Sequence, residues 1–99
     1  MIKITLACAA GMSTSLLVSK MEKYALANEI DVEIIAVPEK QFEKYADSTD
    51  ILLLGPQVSF LLKKCKAAYE PKGIKVAAIP VVDYGRMNGE KVLKLALSL

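Results

Sequence analysis

The stretch Ile2-Lys3-Ile4-Thr5-Leu6-Ala7-Cys8-Ala9-Ala10-Gly11-Met12-Ser13-Thr14-Ser15 changes character in its middle. Its first half is short, apolar and rich in β-branched residues, which suits a strand buried on both faces. After Ala7 come a cysteine, two alanines, a glycine and a methionine, and then three hydroxyl residues in a row. From residue 13 to 28 the apolar spacing becomes helical, with Leu17, Met21, Tyr24 and Asn28 at steps of four, three and four, and Leu16 and Ala25 flanking them. A buried strand that runs through a small-residue loop into a helix is the opening unit of a parallel α/β domain.

The rest of the chain repeats that alternation. Residues 31–37 form a second apolar strand closed by Pro38. Residues 39–46 are charged and helical, with Phe42 and Tyr45 as apolar contacts. Ile51-Leu52-Leu53-Leu54 is a third strand, stopped by Gly55-Pro56. Ser59 is read as the cap of a helix over 60–69, whose inner face carries Leu61, Cys65, Ala68 and Tyr69. Residues 76–79 are the fourth strand, residues 81–89 a loop, and Val92, Leu93, Ala96 and Leu97 the stripe of a last helix. The expected architecture is a four-stranded parallel sheet of order 2-1-3-4 with helices on both faces, flavodoxin-like and phosphatase-like, in one domain spanning residues 1–99.

The totals exclude several function classes. Apolar residues make up 54% of the 99 and charged residues 24%, the balance of an ordered globular chain. A net charge of +2, with the lysines dispersed, offers no nucleic-acid surface. Lys20, Lys23, Lys63, Lys64 and Lys66 are read as solvated helix faces. There is no histidine, so a Cys-His nucleophile pair and most zinc sites are excluded; neither a metal nor a cofactor is expected. Two cysteines make no disulfide framework, and the chain is expected to be cytoplasmic. Leu6-Ala7-Cys8 faintly resembles a lipoprotein cleavage site, but seven residues before Cys8 are too few for a leader, and none is expected. No apolar run approaches the roughly 18 residues of a membrane span.

In the order 2-1-3-4 the winding direction reverses between strands 1 and 3, and ligands bind outside the carboxyl ends of strands at such a reversal. Cys8 stands there. Ala9, Ala10 and Gly11 keep the loop slim, and the glycine lets successive amides turn inward around an anion. The start of the following helix adds unpaired N–H groups and the positive end of the dipole. Ser13, Thr14 and Ser15 can cap the helix, donate to phosphate oxygens, or do both. The same surroundings favour the thiolate form of Cys8. Cys8 is therefore the candidate nucleophile, Ala9 to Ser15 the candidate phosphate cradle, and Gln57, in the loop after strand 3, a second-loop contact. Cys65, on an apolar helix face, is read as a core residue. Met12 suits either a partner surface or packing beneath the loop. Tyr84 and Arg86 are read as either a partner-docking rim or a turn leading to an Asn88-capped helix.

Cys8-Ala9-Ala10-Gly11-Met12-Ser13-Thr14-Ser15, followed by Leu16-Leu17-Val18, resembles the phosphocysteine loop of IIB components of the bacterial sugar phosphotransferase system. The likeness is to the cellobiose/diacetylchitobiose type within the lactose/cellobiose family. It extends over essentially the whole chain, through Leu53-Leu54-Gly55-Pro56-Gln57 and from Ile79-Pro80 to Tyr84-Gly85-Arg86-Met87-Asn88-Gly89. The resemblance implies a relay. A IIA partner's phosphohistidine donates to Cys8, which passes the phosphoryl group to a β-glucoside or cellobiose-type sugar held by the membrane IIC component. Contact with the membrane would then be only through that complex. The implied activity is that of a protein-phosphocysteine–sugar phosphotransferase component.

Two other readings compete. Low-molecular-weight tyrosine phosphatases share a loop of the form Cys-x5-Arg-Ser/Thr, but here Thr14 occupies the arginine position. The chain's single arginine, Arg86, lies outside the loop, so the permanent cationic clamp is missing. A non-catalytic flavodoxin-like ligand-binding module is the second alternative; in it Cys8 would be incidental.

Overall fold

The computed structural model describes residues 1–9 and 12–99, and for Met12 and Ser13 the backbone alone. Four strands form one sheet: β1 (Ile2–Cys8), β2 (Val32–Pro38), β3 (Ile51–Leu54) and β4 (Lys75–Ala78). Their order is β2-β1-β3-β4, and all neighbours are parallel. The expected topology is the observed one. The two inner strands explain the apolar runs: residues 4–8 of β1 and all of β3 are buried. Pro38 sits opposite Cys8 in β2, at a sheet edge, where a residue without an N–H is tolerated.

Helices α1 (Met12–Ala27), α3 (Val81–Gly85) and α4 (Gly89–Leu97) cover one face. There Ile4, Leu6 and Leu53 from the sheet meet Leu17, Met21 and Ala25 of α1, Tyr84 of α3, and Val92, Leu93 and Ala96 of α4. The other face is covered by a 3-10 helix (Glu39–Ser48), a 3-10 segment (Pro56–Leu61) and α2 (Leu62–Tyr69). Ala7, Leu52, Leu54 and Val76 pack there against Phe42, Ala46 and Val58. Strand alternation sends Ile4 and Leu6 to the first face and Ala7 to the second, so Cys8 belongs to the α1 face. Among the described residues no helix is long and apolar enough to cross a membrane.

Four local expectations are revised. Residues 81–85, expected as a loop, form α3, closed by bonds from Tyr84 N to Pro80 O (3.0 Å) and from Arg86 N to Val82 O (3.1 Å). Two β-branched valines argue against a helix locally, but the burial of Tyr84 overrides that preference. Ser59 does not cap α2; its Oγ donates to Pro56 O within the preceding 3-10 segment. The buried stripe of α1 is Leu17, Met21 and Ala25, whereas Asn28 lies beyond the helix and donates from Nδ2 to Tyr24 O. Tyr84 is buried, which removes it from any docking rim. Asn88 does cap α4, accepting from Lys91 N at 3.1 Å.

Candidate functional site

From β1 the chain crosses outward to β2, then returns over β1 to β3 on its other side. The winding therefore reverses between β1 and β3, and the carboxyl ends of these two strands are where a sheet of this order binds ligands. Cys8 is the last residue of β1 and α1 begins at Met12, so only three residues separate the thiol from the helix start. The first turn of α1 carries no acidic residue, so no carboxylate there opposes an anion at the positive end of its dipole.

Cys8 is fully buried, and its Sγ lies 3.9 Å from the Val37 carbonyl oxygen, a weak S–H contact across to β2. On the other side the loop after β3 closes in. Gly55 N donates to Ala7 O at 2.8 Å, and a Cβ on Gly55 would stand 3.5 Å from both Ala7 O and the Cys8 Cβ. The same Cβ would come within 2.9 Å of Gln57 Oε1, so the Gln57 carboxamide is folded back over Gly55, next to Cys8. Sequence reasoning places Gly55 as the strand stop that opens the loop after strand 3, but does not reveal its contact with Cys8. Its position directly after β3, at the winding reversal, was the available signal that two backbones meet there.

The cradle residues divide. Ala9 is exposed; Ala10 and Gly11 lie outside the described residues, as do the side chains of Met12 and Ser13. Ser15 is exposed on α1. Thr14 turns the other way: it is fully buried, and its Oγ1 lies 2.9 Å from Tyr84 Oη, joining the first turn of α1 to α3. The sequence separation of that pair is 70 residues, too far for a local pattern to signal it. Gln57 is exposed in the loop after β3, and Arg86 is exposed just after α3.

Cys65 belongs to a different environment. It lies on the inner side of α2 in the wall of a cavity of about 160 Å³, with Ala7, Leu52, Leu54, Leu61 and Tyr69. That cavity is on the sheet face opposite the one Cys8 belongs to, so the two thiols make no redox pair. Burial pushes the Cys65 thiol above its ordinary range, and the Glu39 carboxylate adds to the shift while Lys64 opposes it. Cys65 is a protonated packing residue at neutral pH.

The chain can be placed among known proteins. The family model described as the lactose/cellobiose-specific IIB subunit of the PTS system matches residues 3–95. The galactose-specific EIIB component of Lactococcus lactis subsp. cremoris is 46% identical over 101 residues, covering 97% of this chain and 94% of that protein. The cellobiose-specific EIIB component of Lactococcus lactis subsp. lactis is also 46% identical, with the same coverage. Among solved structures, a cellobiose-specific phosphotransferase IIB component from Borrelia burgdorferi superposes with a TM-score of 0.80 at 45% identity, over 98% of this chain and 89% of that one. With its cysteine at the winding reversal of a β2-β1-β3-β4 sheet, the chain belongs to the lactose/cellobiose-specific IIB family of the bacterial sugar phosphotransferase system.

Proposed function

We propose that Cys8 is the phosphoryl carrier of this IIB component. One observation carries the reading. The thiol stands at the end of β1, beside the backbone of Gly55 and three residues before α1, a helix whose first turn carries no carboxylate to oppose an anion. In the first step the Cys8 thiolate attacks the phosphorus of a phosphohistidine on the IIA partner. The N–P bond breaks, an S–P bond forms, and the imidazole leaves. In the second step a hydroxyl of the sugar held by the membrane IIC component attacks phosphorus. The S–P bond breaks, the hydroxyl proton is released, and the thiolate is restored. Both are in-line displacements through loose transition states, so catalysis rests on positioning and on amide hydrogen bonds.

Ala9 to Ser15 hold the phosphoryl group. Thr14 contributes its amide, because its hydroxyl is engaged with Tyr84. Gln57 swings from its place over Gly55 to donate its amide N–H. The loop itself carries no arginine to clamp the phosphate, which suits a group that must be handed on rather than hydrolysed. The chain works as one IIB domain over residues 1–99, in the cytoplasm, against the inner side of the IIC complex. The acceptor is a β-glucoside or cellobiose-type sugar. Relatives named for galactose and for cellobiose stand at equal identity to this chain, which fits a specificity residing in the membrane component.

The test is intact mass after incubation with phosphoenolpyruvate, the general phosphotransferase proteins and a cellobiose-type IIA, for wild type and Cys8→Ser. One phosphate on wild type, none on the variant, and discharge by sugar with IIC membranes is the expected result. A wild-type chain that takes no phosphate from a cognate IIA refutes the reading. Rapid turnover of p-nitrophenyl phosphate by the isolated chain would point instead to a phosphatase.

A further inference from the structure

We propose that Tyr84 is a positioning residue for phosphoryl transfer, acting through Thr14 on the first turn of α1; this rests on the carrier role of Cys8. The Thr14–Tyr84 bond, 2.9 Å long, is buried and spans 70 residues of sequence. It ties α3, which follows β4, to the third residue of the helix that opens beside Cys8.

The site needs such a tie. In a phosphatase loop, an arginine at the position of Thr14 would grip the phosphate and organise the loop around it. Here that position carries a hydroxyl that faces the core, with 0% of Thr14 exposed. The amides of the loop and helix start are then the main ligands left, and their aim depends on how the first turn of α1 is seated. At one end the loop is fixed by β1, whose Cys8 is in register with Pro38. At the other end, among the described contacts, the buried bond of Thr14 to Tyr84 ties the first turn to α3. A phenylalanine would fill the space under α1 as well as tyrosine. The phenol oxygen adds direction, since a hydrogen bond specifies the helix rotation and apolar packing does so only loosely.

Tyr84 is itself held from both sides. Its N–H donates to Pro80 O at 3.0 Å, and its carbonyl accepts from Met87 N at 3.0 Å. Met87 adopts a left-handed conformation with φ of 51°, which turns the chain sharply from α3 into α4. Tyr84 is 7% exposed and Thr14 is not exposed at all, so neither side chain is presented to a docking partner.

The experiment measures single-turnover transfer from a phosphorylated IIA component to the full chain, over a range of IIA concentrations. Tyr84→Phe, Thr14→Val, their double variant and Thr14→Ser are compared with wild type, each corrected for folded fraction by circular dichroism. A displacement near 1 Å at reacting atoms costs up to about a hundred-fold, and a tilt of one helix turn is smaller, so a drop of about ten-fold in the limiting rate is expected. Half-saturation by IIA should not change. Thr14→Val should match Tyr84→Phe, the double variant should be no slower than either, and Thr14→Ser should recover near wild-type transfer.

An unchanged limiting rate in Tyr84→Phe overturns the proposal. So does a shift confined to half-saturation, which would make Tyr84 a docking residue, or additive losses in the double variant. If Tyr84→Phe and Thr14→Val both fail to fold, the bond is a folding contact only and the proposal is withdrawn. A wild-type chain that accepts no phosphate would instead sink the carrier reading itself, which separates the two failures.

Discussion

Replacing Gly89 with alanine should destabilise the protein although it places a better helix former in a helix. Gly89 is buried at the first position of α4, where the helix crosses α1. An alanine Cβ there would lie 2.6 Å from the carbonyl carbon of Lys20 and from Met21 N, and 2.8 Å from Lys20 O. All three are backbone atoms, so no rotamer change relieves the contact. Reaching an ordinary separation of about 3.5 Å requires α1 and α4 to part by close to 1 Å. That movement loosens Leu17, Met21 and Ala25 against Val92, Leu93 and Ala96, all of them buried.

Overpacking of this kind costs about 1–3 kcal/mol, and the absence of any flexible neighbour places it at the upper end. The helix-propensity gain from glycine to alanine returns at most about 1 kcal/mol. The net loss is about 2 kcal/mol, which for a domain of this size lowers Tm by about 8–16 °C. Urea unfolding followed by circular dichroism reads it as a lower midpoint with an unchanged slope. Gly85→Ala is the control, because nothing lies within 4 Å of a Cβ there, and its stability should match or slightly exceed wild type. A Gly89→Ala protein as stable as Gly85→Ala would refute the close approach of α1 and α4.

Two further outcomes follow from buried and partly buried side chains. Thr49 Oγ1 donates to Tyr45 O at 2.8 Å, so the hydrogen between Thr49 and Thr5, whose oxygens are 2.8 Å apart, belongs to Thr5. Thr49→Val should therefore strand a buried Thr5 hydroxyl and cost about 1–3 kcal/mol. Thr5→Val leaves Thr49 bonded and should cost less; equal losses in urea melts would contradict this assignment. At high pH the Cys65 thiol, raised by burial in the folded state, ionises more readily once unfolded. Its contribution to stability is full below the ordinary thiol range near 9.0 and is lost as pH rises through the higher folded value. Cys65→Ala should flatten that alkaline decline, and an unaltered pH profile would show that the thiol is not shielded.

Much of the candidate site was legible because its decisive cue is local. A cysteine at the end of an apolar run, followed by small residues, a glycine and a helical period, puts the thiol at a strand end regardless of partners elsewhere in the chain. Which of the three hydroxyl residues turns into the core was not legible. Ser13, Thr14 and Ser15 are about 100° apart around a helix, and which of them faces inward depends on the helix's rotation against α3. Gly55 and Gln57 were readable as a loop after β3. That the loop lies against Cys8 follows from the pairing of β1 with β3 across 47 residues.

The sequence alone determined the alternation of strands and helices, the parallel sheet and the place of Cys8 within it. Apolar periodicity, Pro and Gly stops and the Asn88 cap act over a few residues, and parallel crossovers have a strongly preferred hand. Tertiary structure decided what local preference opposed or left open. It made a helix of Val81–Gly85 against the preference of paired valines, because burying Tyr84 on Thr14 outweighs a few tenths of a kcal/mol of propensity. It turned Thr14 into the core, and it set α4 so close to α1 that position 89 admits only a glycine without a shift. Contacts of that kind depend on elements distant in sequence, and their geometry exists only once both are packed.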